Sequence, residues 1–120
     1  MSDESETARS RWLRVCAQLE LPCSSVRTIA LPELNVAVFR LADGRIFAIE
    51  DRCPHRGARL SAGVIYDCDK IACLDHGWGI RLADGGVEPP EQGCVQTFAV
   101  KVEDDSVLVL VSTPESDIKP

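Results

Sequence analysis

Short apolar runs, separated by turn-forming residues, make up most of this 120-residue chain. In the segment VQTFAVKVE (95–103), apolar and polar residues alternate, as they do in a strand with one buried face. The Asp43–Gly44 pair stands between two such runs and indicates a hairpin turn. No long segment has a helical period. The pattern predicts about nine or ten short strands, which is typical of an all-β sandwich or small barrel.

The predicted strands follow one another closely along the chain. They comprise 12–17, 26–31, 35–41, 45–50, 63–67, 70–74, 79–82, 87–89, 95–103 and 107–111. The turn residues predict three hairpins, which are 35–41 with 45–50, 63–67 with 70–74, and 79–82 with 87–89. They also predict a turn at 104–106 that leads from 95–103 into 107–111. We therefore expect a single domain over 12–111, between disordered polar tails over 1–11 and 112–120.

The charge of the chain excludes some classes of partner. Its formal net charge is −6 and its pI is about 4.8, so it lacks the clustered basic residues that nucleic acid and anionic membranes require. No apolar run approaches the roughly 20 residues that span a bilayer. The first ten residues do not have the pattern of a signal peptide. We expect a cytoplasmic protein with neither nucleic acid nor a membrane as partner.

The two histidines of the chain both lie close to cysteines, as Cys53-x-His55 and Cys73-x2-His76. Thiolate sulfur and neutral imidazole nitrogen are the side-chain ligands of soft and borderline metals. Because cysteines in the cytoplasm stay reduced, such pairs indicate a metal site or catalysis rather than disulfides. Both segments fall between predicted strands, so two loops would supply four ligands from a β scaffold.

Two metal groups fit two cysteines and two histidines. One is a tetrahedral structural Zn²⁺, and the other is a [2Fe–2S] cluster in which histidines replace two of the cysteines. A structural zinc site usually compensates for a poor core, whereas this chain has many strands, and its C-x-H unit departs from zinc-finger spacings. The residues favour iron–sulfur and leave zinc, or four ordinary buried side chains, as alternatives.

The segments CPHRGA and CLDHGW resemble the motif of Rieske iron–sulfur proteins in ligand type, order and spacing. The resemblance implies a Rieske-type β-sandwich with a cluster-binding subdomain formed by the two loops. It also implies that Cys53 and Cys73 bind the inner iron of a [2Fe–2S] cluster, and that His55 and His76 bind the outer iron. Membrane-bound respiratory members carry one more cysteine in each loop. Since Ala58 and Leu74 stand here instead, the chain is similar to the soluble, ferredoxin-like branch.

Residues beside the ligands carry further expectations. Gly57 and Gly77 lack a Cβ atom, so we expect their backbone N–H groups to approach sulfur. Asp75 adds a negative charge directly before His76 and is expected to lower the reduction potential. Trp78 is interpreted as a core residue. The other cysteines are interpreted as packing residues: Cys16, Cys23, Cys68 and Cys94.

The similarity extends over 12–111 to the small-subunit family of assimilatory NAD(P)H-dependent nitrite reductase, including the segment GCVQTFAVKVED. It implies a large subunit with FAD and siroheme as partner, and electron relay or structural support as this chain's part in reducing nitrite to ammonium. The chain has no Rossmann glycine fingerprint, so it is not expected to bind the nicotinamide itself. The alternatives are a free Rieske ferredoxin that serves an aromatic-ring dioxygenase and a non-redox structural subunit.

Overall fold

The fold was analysed in a computed structural model that describes residues 8–32, 34–54, 57–74, 77–89 and 92–114. These residues form ten β-strands and two short 3₁₀ turns, Gln18–Glu20 and Leu60–Ala62. The strands are β1 (Ala8–Ala17), β2 (Ser25–Ala30), β3 (Asn35–Arg40), β4 (Ile46–Glu50), β5 (Val64–Tyr66), β6 (Lys70–Ala72), β7 (Gly79–Arg81), β8 (Thr97–Phe98), β9 (Val100–Glu103) and β10 (Ser106–Pro114). The predicted all-β fold is confirmed.

The strands form three antiparallel sheets. One has the order β1-β10-β9, a central one has the order β2-β3-β4-β8, and a small one has the order β5-β6-β7. The first two predicted hairpins are confirmed as β3–β4 and β5–β6. The third is reduced to a single bridge between Ile80 and Val87.

The central sheet is buried on both of its faces. In β3, Val36 and Val38 belong to one apolar core together with residues of β1 and β10. Ala37 and Phe39 point the other way, since side chains alternate along a strand, and belong to a second core shared with the small sheet. The continuous apolar run in β3 follows from burial on both faces. The second core is the one that receives the cysteines of the two loops.

The first and last strands pair with each other over nearly their whole length. Ala8 lies opposite Pro114 and Ala17 lies opposite Ser106, with a bulge between Arg14 and Cys16. The paired region therefore extends beyond the expected limits of 12 and 111. Backbone pairing explains the extension, because a ladder accepts polar residues that composition alone places in a tail.

The alternating run 95–103 does not form one strand. β8 pairs with β4 in the central sheet, whereas β9 pairs with β10 in the first sheet. The chain changes sheet at Ala99, whose carbonyl accepts a hydrogen bond from the N–H of Leu110 at 2.9 Å. Among the described residues, no helix is long and apolar enough to cross a membrane.

Candidate metal centre

The two cysteines of the motif are buried in the same apolar core. Cys53 follows β4 and is 1% exposed, whereas Cys73 follows β6 and is 2% exposed. Both belong to the cluster that includes Phe39, Leu60 and Ile80. The fold thus brings together thiols that are twenty residues apart in the chain, in surroundings that exclude water.

Both cysteines begin loops that share one backbone hydrogen-bond pattern. The N–H of Cys53 donates to the carbonyl of Ala58 at 2.8 Å, and the N–H of Cys73 donates to the carbonyl of Trp78 at 2.8 Å. We name these two segments loop 1 (53–58) and loop 2 (73–78). In each loop the first and last residues are therefore bonded to each other through their backbones.

A glycine with positive φ occurs at the same place in each loop. Gly57 has φ +80° and donates to the carbonyl of Cys53 at 2.8 Å. Gly77 has φ +72° and donates to the carbonyl of Cys73 at 2.9 Å. In both loops the glycine N–H therefore closes the turn onto the backbone of the motif cysteine. Glycine is favoured because the turn needs a left-handed residue.

The two histidine predictions, His55 and His76, lie outside the described residues, and so does Asp75. The two thiols lie at the starts of matching loops in one dry core. This arrangement fits a metal group that is bound by two sulfur and two nitrogen ligands. Within the described ranges, no group of three or more His, Cys, Asp or Glu side chains could bind a metal ion.

Loop 1 is closed at its base by a buried carboxylate that the sequence analysis did not single out. Asp51 is 4% exposed. Its carboxylate accepts hydrogen bonds from the N–H of Ser61 at 2.6 Å, from the hydroxyl of Ser61 at 2.8 Å, and from Nε of Arg59 at 3.1 Å. An acidic residue two positions before Cys53 is the only sequence signal that points to it.

A third segment lies beside both loops and was also missed. We name residues 87–93 the third loop, of which 90 and 91 lie outside the described residues. Its ends are joined by a hydrogen bond from the N–H of Val87 to the carbonyl of Gly93 at 3.0 Å. A Cβ atom on Gly93 would lie 3.6 Å from Pro54 of loop 1. The N–H of Glu88 donates to the carbonyl of Gly79, just beyond loop 2, at 2.8 Å.

The side chain of Glu88 fixes the third loop to the small sheet. It accepts from Nη1 of Arg81 at 2.6 Å and forms an ion pair with Nζ of Lys70 at 3.1 Å. These two cations, Arg81 first, lower the pKa of Glu88 below its ordinary value. The same contacts with Glu88 raise the pKa values of Lys70 and Arg81.

The remaining cysteines differ from one another in exposure. Cys16 is 2% exposed, and burial raises the pKa of its thiol, so its interpretation as a packing residue is confirmed. For three others that interpretation is wrong, because Cys23, Cys68 and Cys94 are exposed free thiols. Cys68 has φ +72° and is exposed in the β5–β6 turn. Trp78 is half-buried and packs against the core that contains both motif cysteines.

Comparison with known proteins gives a family match over most of the chain. Residues 11–99 match the Rieske [2Fe–2S] domain. The ferredoxin subunit of 3-phenylpropionate/cinnamic acid dioxygenase from Photorhabdus laumondii is 32% identical over 101 residues, which are 83% of this chain and 94% of that protein. Cholesterol 7-desaturase of Xenopus laevis is 37% identical over 76 residues.

Solved structures agree in fold. A chain from the complex of reduced oxygenase and oxidized ferredoxin in carbazole 1,9a-dioxygenase has a TM-score of 0.74 at 32% identity and covers 82% of this chain and 91% of its own length. A protein from Mycobacterium tuberculosis, assigned as the small subunit of NADH-dependent nitrite reductase, has a TM-score of 0.77 at 23% identity. That match covers 85% of this chain and 96% of the other, and at this identity it shows the fold alone.

Several relatives are much longer than this chain. The chain covers only 16% of the cholesterol 7-desaturase of Xenopus laevis and 20% of an oxidoreductase of Pseudomonas putida. The domain therefore occurs both as most of a small protein and as one part of larger ones.

Proposed function

Because the chain belongs to the Rieske [2Fe–2S] domain family, whose members carry an electron-transferring [2Fe–2S] cluster, we propose that Cys53, His55, Cys73 and His76 are its ligands. The observation that carries this assignment is the pair of matching loops, each of which begins with a buried cysteine in one common core. The zinc alternative finds no support in the family match.

The residues of this chain would provide a dry, rigid site. Burial of the thiols excludes water from the sulfur side, and the paired backbone hydrogen bonds fix the loop shapes in advance. When bound, a [2Fe–2S] cluster accepts and donates a single electron. The protein needs no substrate pocket for such a role, only a surface near the ligands where a partner docks.

Exposed apolar residues of the three loops supply such a surface. Pro54 and Pro89 are exposed, and Leu74, directly after Cys73, is 67% exposed. Side chains of this kind desolvate readily when two proteins meet. We propose that the electron partner docks on these three loops.

For the partner itself, we propose the large subunit of an NAD(P)H-dependent nitrite reductase that carries FAD and siroheme, with this chain as its small subunit in the cytoplasm. Support comes from the sequence similarity over 12–111, including GCVQTFAVKVED. In this role the single domain over 12–111 relays electrons or stabilises the large subunit, while nitrite is reduced to ammonium elsewhere in the complex.

A free ferredoxin for an aromatic-ring dioxygenase is the second candidate. It is supported by the 32% identity to the dioxygenase ferredoxin subunit from Photorhabdus laumondii, which covers 94% of that protein. In that role the chain would deliver electrons to an oxygenase and dissociate after each transfer.

Two measurements test these proposals in order. The first is iron analysis with low-temperature EPR of anaerobically purified, dithionite-reduced protein. About two irons per chain and a rhombic signal support the cluster, whereas bound zinc, or no metal after reconstitution, would refute it. The second is stopped-flow oxidation of the reduced protein by a siroheme-containing large subunit and by a ring-hydroxylating oxygenase. The partner that reoxidises it rapidly, and co-elutes with it, identifies the system.

A further inference from the structure

The two ligand loops are closed at their bases in different ways. Loop 2 connects β6 and β7, so the ladder itself closes it through the pair Ala72 and Gly79. Loop 1 leaves β4 and runs into the 3₁₀ turn Leu60–Ala62, which is not a strand. Among the described residues, no ladder pairing crosses the base of loop 1. Beyond the hydrogen bond between Cys53 and Ala58, side-chain contacts must therefore hold the two ends of loop 1 together.

The side chain of Asp51 links the two ends of loop 1. One carboxylate oxygen accepts from the N–H of Ser61 at 2.6 Å, and the other accepts from the hydroxyl of Ser61 at 2.8 Å. Arg59 donates from Nε at 3.1 Å and places Nη2 at 3.1 Å from the same carboxylate. The backbone N–H of Asp51 also donates to the carbonyl of Asn35 at 2.8 Å, which fixes the backbone of Asp51 to β3.

The matching position before loop 2 shows the contrast. Ile71, two residues before Cys73, is apolar and fully buried in the core. Asp51, two residues before Cys53, has a side chain that is 0% exposed, although carboxylates are rarely buried unless paired. The polar side chain therefore stands at the one loop base that has no ladder to close it.

We propose that Asp51 is a positioning residue that fixes the Cys53 and His55 half of the ligand set, through Ser61 and Arg59. The proposal rests on the ligand assignment above. The carboxylate joins both ends of loop 1 to the central sheet, so its loss allows the loop to open while loop 2 stays closed by its ladder. A buried acceptor with several donors rigidifies a site more than an exposed ion pair does.

The charge of Asp51 has a second consequence. The side chain of Arg59 is 57% exposed, so solvent screens its positive charge, whereas the carboxylate is enclosed. The base of loop 1 therefore holds an enclosed carboxylate two residues before Cys53. Replacement of Asp51 by the neutral isostere asparagine removes a charge that opposes reduction, so the midpoint potential should rise.

The test compares Asp51→Asn with Asp43→Asn in the full chain. Asp43 is a matched control because its carboxylate also accepts from a backbone N–H and from an arginine Nε, both of Arg45. It lies at the other end of the β3–β4 hairpin from loop 1. Three quantities are measured: iron release to a chelator, the midpoint potential, and the thermal midpoint of the apo-protein.

We expect Asp51→Asn to release iron about tenfold faster than wild type, since a lost hydrogen bond to a charged group is worth roughly one decade or more. Its potential should be more positive, and Asp43→Asn should match wild type in both readouts. Iron release and potential unchanged in Asp51→Asn would overturn the proposal. A wild type that binds no cluster would instead refute the proposed function, so the two failures are distinct.

If Asp51→Asn does not fold, Ser61→Ala and Arg59→Gln decide the question. Each removes part of the contact and leaves the hydrogen bond from the N–H of Ser61 in place. Faster iron release at an unchanged apo thermal midpoint supports positioning. Release at the wild-type rate in both variants shows that the contact stabilises only the fold, and overturns the proposal.

Discussion

The hydroxyl of Tyr66 occupies the space that a Cβ atom on Gly79 would need. Gly79 begins β7 directly after loop 2, and its carbonyl accepts the hydrogen bond from Glu88 of the third loop. Tyr66 ends β5, at the far side of the small sheet. One missing side chain therefore allows three segments around the metal centre to meet.

Replacement of Gly79 by alanine should destabilise the protein. The new methyl group must displace the half-buried Tyr66 or shift β7, and such overpacking costs about 1–3 kcal/mol. Urea unfolding of the apo-protein measures this loss. Tyr66→Phe removes the obstructing oxygen. In a double-mutant cycle, the double variant should therefore lose less stability than the sum of the losses in the two single variants. Strictly additive effects would show that the two residues do not interfere.

The glycines of loops 1 and 2 should resist substitution for a different reason. Gly57→Ala and Gly77→Ala each place a Cβ atom on a left-handed residue, which costs roughly 1–2 kcal/mol. Gly44→Ala is the control, because Gly44 has φ +94° and open space around it but lies in the β3–β4 turn. All three should lose similar stability in urea, but only the loop variants should also lose iron during purification. Equal iron content in the three variants would contradict a role for these loops.

The contact between Glu88 and its two cations should make stability depend on pH. Because the pKa of Glu88 is lowered, its contribution is present above its unfolded pKa and is lost as pH falls through the lower folded value. Glu88→Gln should therefore be less stable than wild type near pH 7, and the difference should shrink below about pH 4. Thermal unfolding of both proteins across this range measures the effect.

A matched variant for that series is Glu103→Gln, whose carboxylate pairs with Lys101 in the first sheet with 60% of its side chain exposed. It should differ little from wild type at any of these pH values. If the difference in thermal stability between Glu88→Gln and wild type stays constant down to the lowest pH, the contact does not stabilise the protein through charge.

The proposed ligands should separate from the spare cysteines in a cluster-binding assay. Cys53→Ala and Cys73→Ala should abolish the iron–sulfur spectrum, whereas Cys94→Ala should retain it. His55→Cys and His76→Cys, where a cluster still assembles, should lower the midpoint potential because a thiolate adds negative charge. A normal spectrum in Cys53→Ala, or an unchanged potential in an assembled histidine variant, would sink the assignment.

The free thiols should fall into two kinetic classes. Cys23, Cys68 and Cys94 are exposed, so a thiol reagent such as DTNB should modify three groups per native holo-protein quickly. Cys16 should react only on unfolding, because burial both blocks access and raises the pKa of its thiol. A count of zero fast thiols would support the packing interpretation for all three.

Local patterns correctly predicted the β3–β4 and β5–β6 hairpins. The Asp43–Gly44 turn between β3 and β4 is confirmed, with Gly44 at positive φ as that turn requires. The β5–β6 hairpin is also confirmed, although Asp67 and Cys68 rather than a glycine take the left-handed positions. In both cases the apolar runs on either side determine the pairing, and the turn follows.

Such local patterns do not specify which strands pair over long distances in the sequence. Alternation along 95–103 predicts a strand but does not specify which sheet it joins, so the change of sheet at Ala99 could not be seen. The spacing of Cys53 and Cys73 predicted paired loops, and these are present. The sequence did not indicate the role of Asp51, because its partners Arg59 and Ser61 come within hydrogen-bond distance only in the folded chain.

The pairing of the first and last strands has a consequence for how this domain can be connected. Ala8 and Pro114 are direct partners across the ladder, so the points where the chain enters and leaves lie side by side. Neither β1 nor β10 contributes to the ligand loops. Such a unit can be inserted into a longer polypeptide, or circularly permuted with a short linker, without a break near the metal centre.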